Sequence, residues 1–236
     1  MAVRQRWRGL FKWLGIAFAA WLVSTVLAVL ALRWVDPPTS AFMLQRWVVG
    51  HFQSGEPPYV YYEWVDWDGI PAPVALAAVA AEDQRFPDHA GFDLVEIERA
   101  WKRYQAGGQL RGASTISQQT VKNLFLWSGR DPLRKGLEAG LTLLIEALLP
   151  KQRILEIYLN IAQFSPDTFG VGAAAWRYFD RPVIALDARQ AALLAAVLPA
   201  PEEYRIDAPS AKVRGRADWI RRQMRNLGGS SYLGRL

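Results

Sequence analysis

The 236-residue sequence predicts a mainly α protein, with one membrane-length apolar helix ahead of a single helical domain. Three observations carry this. Residues 13–32, WLGIAFAAWLVSTVLAVLAL, hold no charge. Helix start and stop signals then follow one another as far as Pro199. No stretch alternates apolar and polar residues for long enough to build a sheet. With 51% hydrophobic and 21% charged residues, the chain is neither disordered nor collagen-like. The absence of cysteine excludes a disulfide framework, an iron–sulfur cluster and a Cys-ligated zinc site. Arg4, Arg6, Arg8 and Lys12 supply most of the formal net charge of +6. The remainder is close to balanced, so no nucleic-acid partner is expected.

Twenty residues of helix, at about 1.5 Å each, reach about 30 Å, the thickness of a bilayer's hydrocarbon core. The basic flank makes residues 1–12 a cytoplasmic tail and places the domain on the far side of a cell membrane, crossed once. A cleaved signal peptide is the alternative. Against it, the apolar stretch exceeds the usual ~7–15 residues and lacks an Ala-x-Ala site. Residues 33–59 read as a linker or membrane-proximal segment, with DPPTSAF (36–42) its hinge and Ala41–Phe52 unevenly patterned. Residues 60–236 form the expected domain.

Within it, Pro73–Asp83 is Ala-rich with proline in its first turn. Asp93–Gln105 sets Leu94, Ile97 and Trp101 at helical spacing. Thr115 and Gln118 form a capping box for a helix through Leu126. Asp131-Pro132 is an N-cap followed by proline at the first helical position, and Pro150 ends that helix. Lys151–Asn160 and Asp187–Leu198 complete the series, the latter opened by Asp187-x-x-Gln190 and stopped by Pro199. The Gly/Ala-rich stretch 167–182 reads as close helix packing.

Three constellations carry chemistry. In AAEDQRFPDHAGFD (80–93), Glu82 and Asp83 end a very apolar helix. A carboxylate held against apolar surface is desolvated, which raises its pKa and suits it to proton transfer. The alternative is a solvated helix C-terminus. His51 and His89 are the only histidines, too few for a His-based metal cluster, and His89 reads as ordering its loop. In RGASTISQQTVKNLF (111–125), Ser114, Gln118 and Lys122 share one helical face, with Gln119 and Asn123 beside it. A helix start with a lysine further on suits an anionic ligand; a solvated polar stripe is the alternative. In GRDPLRKGLEAGLTLLIEALLP (129–150), Arg134 and Glu138 stand one turn apart, with Lys135 adjacent and Arg130 upstream. An exposed helical pair is worth only about 0.3–0.5 kcal/mol. Here the surrounding helix is strongly apolar, so the charges either line a cleft or bear a desolvation cost. Lys122, Arg130, Arg134 and Lys135 together suit a pyrophosphate. In KQRILEIYLNIAQFSP (151–166), Arg153 and Glu156 read as a surface pair and Lys151 as able to reach the cleft.

In this order, EDQRFPDHAGFD, GASTISQQTVKNLF, RKGLE, KQRILEIYLN and FGVGAAAWRYF resemble the glycosyltransferase module of bacterial peptidoglycan synthases, found also in penicillin-binding proteins. With one domain after its anchor, the chain resembles the monofunctional, biosynthetic transglycosylase type. The resemblance implies a lysozyme-like helical fold and a β-1,4 polymerase acting on lipid II and the lipid-linked glycan at the cell inner membrane, with other wall synthases as candidate partners. It implies Glu82 as general base, with Asp83, Phe86 and His89 shaping its site. Ser114, Thr115, Gln118, Gln119, Lys122 and Asn123 would line the cleft. Glu138 would be a second catalytic carboxylate near the donor's pyrophosphate or its metal ion, Mg²⁺ or Mn²⁺. Lys122, Arg130, Arg134 and Lys135 would neutralise the leaving group. Many relatives carry acids where this chain has Gln163 and Gly172, and a small-basic pair where it has Asp180-Arg181. A membrane-anchored glycan hydrolase of lysozyme or lytic type accounts for Glu82 but not for the cations, and a non-catalytic scaffold is the third reading.

Overall fold

The structure, a computed structural model, describes residues 2–54, 58–108, 112–129 and 131–236, with the side chains of 2–11, 53 and 54 excepted. Arg130 and the side chains of Arg4, Arg6 and Arg8 lie outside the described residues. Ten α-helices carry the described fold: α1 (Ala2–Ala31), α2 (Ala41–Ser54), α3 (Ala72–Glu82), α4 (Leu94–Gln105), α5 (Ile116–Phe125), α6 (Pro132–Leu148), α7 (Lys151–Ile161), α8 (Val171–Phe179), α9 (Ala188–Val197) and α10 (Ala211–Asn226). The only sheet among the described residues is a small three-stranded one, β1 (Tyr61–Tyr62), β2 (Gln163–Ser165) and β3 (Thr168–Phe169), in the order β1-β3-β2. β1 runs parallel to β3, and β2 antiparallel. Strands of two and three residues are too short to show a period of two in sequence.

α1 is one continuous helix whose apolar run, Lys12–Ala31, is long enough to cross a membrane. Only its end meets the domain, where Val29 is fully buried and α1 packs on α6. The expected hinge at 36–42 is shorter in the structure. From Ala41 the chain is helical, and α2 exposes Leu44, Trp47, Val48 and Phe52. The pattern was uneven because this helix is apolar on its exposed side as well.

α3 sits at the centre. Val74 through Ala80 are all buried, a helix apolar on every face and therefore enclosed. It packs on α9, α10 and α7. Both expected capping boxes form, Thr115 with Gln118 on α5 and Asp187 with Gln190 on α9. Asp131 caps α6, with Pro132 at its first position. Tight packing holds where glycine permits it. At Gly172 a Cβ would come within 2.6 Å of the Glu63 carbonyl, so no acidic side chain fits there. Asp180 takes the left-handed conformation (φ 51°) that ends α8.

Candidate active site

Glu82 is the last residue of α3, so a helix enclosed over most of its length delivers it to the surface of the core. Its side chain is 12% exposed. Oε2 accepts from Gln119 Nε2 at 3.0 Å, and Oε1 from Arg216 Nη2 at 3.1 Å. Gln119 is itself oriented, since the Tyr158 hydroxyl donates to its Oε1 at 3.3 Å. Burial pushes the Glu82 carboxyl above the ordinary range, and the Gln119 and Arg216 donors pull it partly back. Burial, with Glu82 and Asp83 nearby, also pushes the Tyr158 hydroxyl well up, so it stays a neutral donor.

The adjacent loop is a scaffold. Asp83 accepts from His89 Nε2 at 2.9 and 3.1 Å, and from the Ile116 backbone N–H at the start of α5 at 3.0 Å. That N–H has no partner within its helix, and an anion there is electrostatically favoured. Thr115 donates to the Gly91 carbonyl at 2.6 Å, fastening the start of α5 to the same loop. Gly91 has φ +85°, and a Cβ would meet Thr142 Cγ2 at 2.6 Å. Phe86 is fully buried, its ring edge-on to His89. Two expected cleft residues belong to this scaffold. Gln118 is buried and accepts from the Thr115 N–H within the capping box, because a capping side chain turns back to its own backbone. Lys151 donates to the His89 carbonyl at 2.6 Å and to Glu146 at 2.8 Å, and lies over the Phe86 ring at 4.4 Å. It therefore props the loop from beneath rather than facing a ligand.

Two cavities flank the Glu82–Gln119 hydrogen bond, Glu82 lining one and Gln119 the other. One, of about 350 Å³, is lined by Glu82, Arg85, Arg99, Ser114 and Trp219 among others. The other, of about 330 Å³, is lined by Gln119, Lys122, Asn123, Tyr158 and Gln163 among others. The Glu82–Gln119 hydrogen bond joins them. Lys122 forms no ion pair with a described residue. Burial lowers its pKa, and it is within electrostatic reach of Glu138, Arg134, Glu82 and Lys135. Arg134 and Glu138 are both buried, with Nη1 to Oε2 at 2.6 Å, and Lys135 bonds the other Glu138 oxygen. The pair is therefore not an exposed helical ion pair, and its cluster faces Lys122.

Asp83, His89 and Asp93 each offer one ligand atom, all within 4.8 Å of one another, and such a trio can hold a metal ion. Each carboxylate is already engaged: Asp83 as above, and Asp93 with the Val95 and Glu96 N–H groups and Arg85. Around Glu138 both carboxylate oxygens face cations, Arg134 and Lys135.

Arg216 and Tyr158 were missed in the sequence. Arg216 lies 134 residues beyond its partner Glu82, and no local spacing announces the pair. Tyr158 read as core, which it is, apart from its hydroxyl.

With this geometry in place, the comparisons assign the class. Residues 51–225 match the family described as Transglycosylase, and the chain belongs to that family. It is similar to the biosynthetic peptidoglycan transglycosylase of Stutzerimonas stutzeri (strain A1501), 51% identical over 217 residues that cover 92% of this chain and 89% of the relative. It is also similar to proteins of the same name from Xylella fastidiosa (strain M23; 49% over 231 residues, 98% and 95%) and Pseudomonas aeruginosa PAO1 (48% over 234 residues, 99% of each).

Proposed function

We infer that this chain polymerises peptidoglycan glycan strands, transferring the lipid-linked glycan onto the 4-hydroxyl of lipid II. The observation that carries this reading is a buried, proton-attracting Glu82 lining one cavity and hydrogen-bonded to Gln119 of the next, with Lys122, which forms no ion pair with a described residue, within electrostatic reach. Glu82 takes the proton from the acceptor hydroxyl. The hydroxyl oxygen attacks the donor's anomeric carbon as the bond to the diphosphate breaks, so an α-linked donor becomes a β-1,4 glycoside in one inverting displacement. Gln119, held by Tyr158, and Arg216 aim the carboxylate. Lys122, with Lys135 and Arg134 beyond it, stabilises the negative charge that collects on the departing diphosphate. Glu138 keeps Arg134 and Lys135 in place. A divalent cation would enter largely on phosphate oxygens, and no step here depends on one.

The anchor reading goes with this substrate. α1 crosses the inner membrane once, with residues 1–12 in the cytoplasm, and the domain of residues 60–236 works on the outer side, where a lipid-tethered substrate diffuses. The exposed apolar side chains of α2 and of α4, among them Trp47, Phe52, Leu94 and Trp101, support a domain lying against lipid. Contact with other wall synthases is a further part of this proposal. The test is incubation of the purified full chain with lipid II: polymer ladders support the reading, and shortening of preformed glycan instead supports a hydrolase.

A further inference from the structure

Besides the packing of Val29 and α1 on α6, one side chain ties the segment just past the end of α1 to the domain by polar contacts. Arg153, in the first turn of α7, donates Nε to the Leu32 carbonyl at 2.7 Å, Nη2 to Asp36 at 2.7 Å and Nη1 to Glu156 Oε2 at 2.8 Å. Its guanidinium also lies 5.3 Å from the centre of the Trp64 ring. Glu156 is buried, and its other oxygen accepts from the Trp67 N–H at 2.7 Å. Arg153 was expected to form a surface pair with Glu156. It is 12% exposed instead, because residues more than a hundred positions away close over it. A second tie runs from the Tyr62 hydroxyl to the Pro37 carbonyl at 2.9 Å.

The carbonyls of a helix's last turn lack partners within the helix, and a cation is favoured there. A guanidinium presents several donors in a rigid fork, so it fixes direction as well as distance. Asp36-Pro37-Pro38 adds stiffness, since proline restricts its own backbone and that of the residue before it. A tether meant only to keep the domain near a membrane has no use for these contacts.

We propose that Arg153 is a positioning residue, the latch that sets the height and tilt of the catalytic groove relative to the membrane anchor. This rests on the reading of α1 as a membrane span. A lipid-linked diphosphate lies at a fixed depth, at the bilayer surface. A domain swinging on a loose tether offers its groove at that depth only part of the time, while a latched one offers it continuously.

The experiment compares polymerisation of lipid II by the full chain in proteoliposomes and in detergent micelles. The anchor-side variant Asp36→Ala/Tyr62→Phe leaves the Arg153–Glu156 pair intact, and Arg153→Ala and Arg153→Lys accompany it. The expected result for the anchor-side variant is micellar activity within about twofold of wild type and a fall of about tenfold or more in bilayers, the scale of a misplaced reacting group. Arg153→Lys should not restore the bilayer rate, because one ammonium cannot serve three acceptors. The chain has no cysteine, so a single dye at Arg189→Cys, exposed at the start of α9, reports distance to a lipid-surface acceptor. That distance distribution should broaden in the variants. Equal bilayer rates with an unbroadened distribution overturn the latch, as does an equal loss in micelles by the anchor-side variant. If alkaline carbonate strips the wild-type chain from membranes, the membrane-span reading fails and takes the latch with it. If the chain stays inserted, only the latch is at stake. Should Arg153→Ala not fold, the anchor-side variant decides alone.

Discussion

Glu82→Gln should separate catalysis from stability, because the two respond in opposite directions. The ionised carboxylate is largely buried, and its folded-state pKa is raised chiefly by desolvation. A raised carboxyl pKa contributes stability while the group is protonated, and that contribution is lost as pH rises through the folded value. At neutral pH the charged form therefore weakens the fold relative to a neutral side chain of the same shape. Glutamine relieves that cost but gives part of it back. Arg216 loses a charged acceptor, and Gln119 must turn its amide to meet the new NH₂ group, disturbing its bond to Tyr158. The net gain is at most about 1 kcal/mol, a rise in Tm of about 2–4 °C for a chain of this size. Polymerisation should fall by about 10²–10⁴, because glutamine cannot accept the hydroxyl proton. Gel-resolved conversion of lipid II and calorimetry on the same preparation read both effects. Wild-type polymer yield would refute Glu82 as the base, and a fall in Tm of more than about 5 °C would make it a structural keystone instead.

Three further outcomes follow from the same geometry. Arg216→Ala removes both the charge and the donor that hold the Glu82 pKa down, so the acid limb of the pH–rate profile should move to higher pH, with Arg216→Lys partly restoring it; an unmoved limb counts against the positioning role. Glu138→Gln leaves Arg134 buried without its counter-charge and should cost about 3 kcal/mol in thermal unfolding, whereas a loss below about 1 kcal/mol would mean the pair is effectively solvated. Gly172→Ala should destabilise by about 1–3 kcal/mol, because its Cβ meets the Glu63 carbonyl. The control Gly136→Ala, with open space around its Cβ on α6, should be neutral or stabilising by up to about 1 kcal/mol; equal effects at both sites would remove the close-packing account.

What the sequence made legible was local. Thr115 with Gln118, Asp187 with Gln190 and Asp131 with Pro132 announce helix starts because the groups that meet there are three residues apart or fewer. The apolar run of α1 and the enclosure of α3 follow from composition. The arrangement of the site was legible only in part. Gln118 was read both as a cap and as a member of a ligand-facing stripe, and the cap claimed it. Lys151 looked like one more cation for the cleft, but Glu146, five residues back along the chain, and the His89 carbonyl hold it under the loop. Arg153 and Glu156 have the spacing of any surface pair, and only Leu32, Asp36 and Trp67 make them a largely buried junction. For Lys151 and Arg153 the deciding partners include residues distant in sequence, His89, Leu32, Asp36 and Trp67, where periodicity and capping rules say nothing.

The same geometry weighs on the choice between making and cutting glycan. A glycosidase uses two carboxylic groups, one to protonate the leaving oxygen and one to act as base or nucleophile, at separations of roughly 5–9.5 Å. Glu82 could serve as either, but its neighbours do not complete the pair. Asp83 is committed to His89 and to the first N–H of α5. Glu138 gives one oxygen to Arg134 and the other to Lys135, so both of its oxygens are occupied by cations rather than turned to a sugar. A diphosphate is already a good leaving group and needs positive charge beside it rather than an acid. Lys122, without an ion-pair partner among the described residues and within electrostatic reach of those cations, is the kind of group that meets that need, whereas cleavage of a neutral glycan would leave it idle. On the proposed reading Glu138 is the counter-ion of Arg134 and Lys135, and Glu82, aimed by Gln119 and Arg216, is the one base an inverting displacement requires.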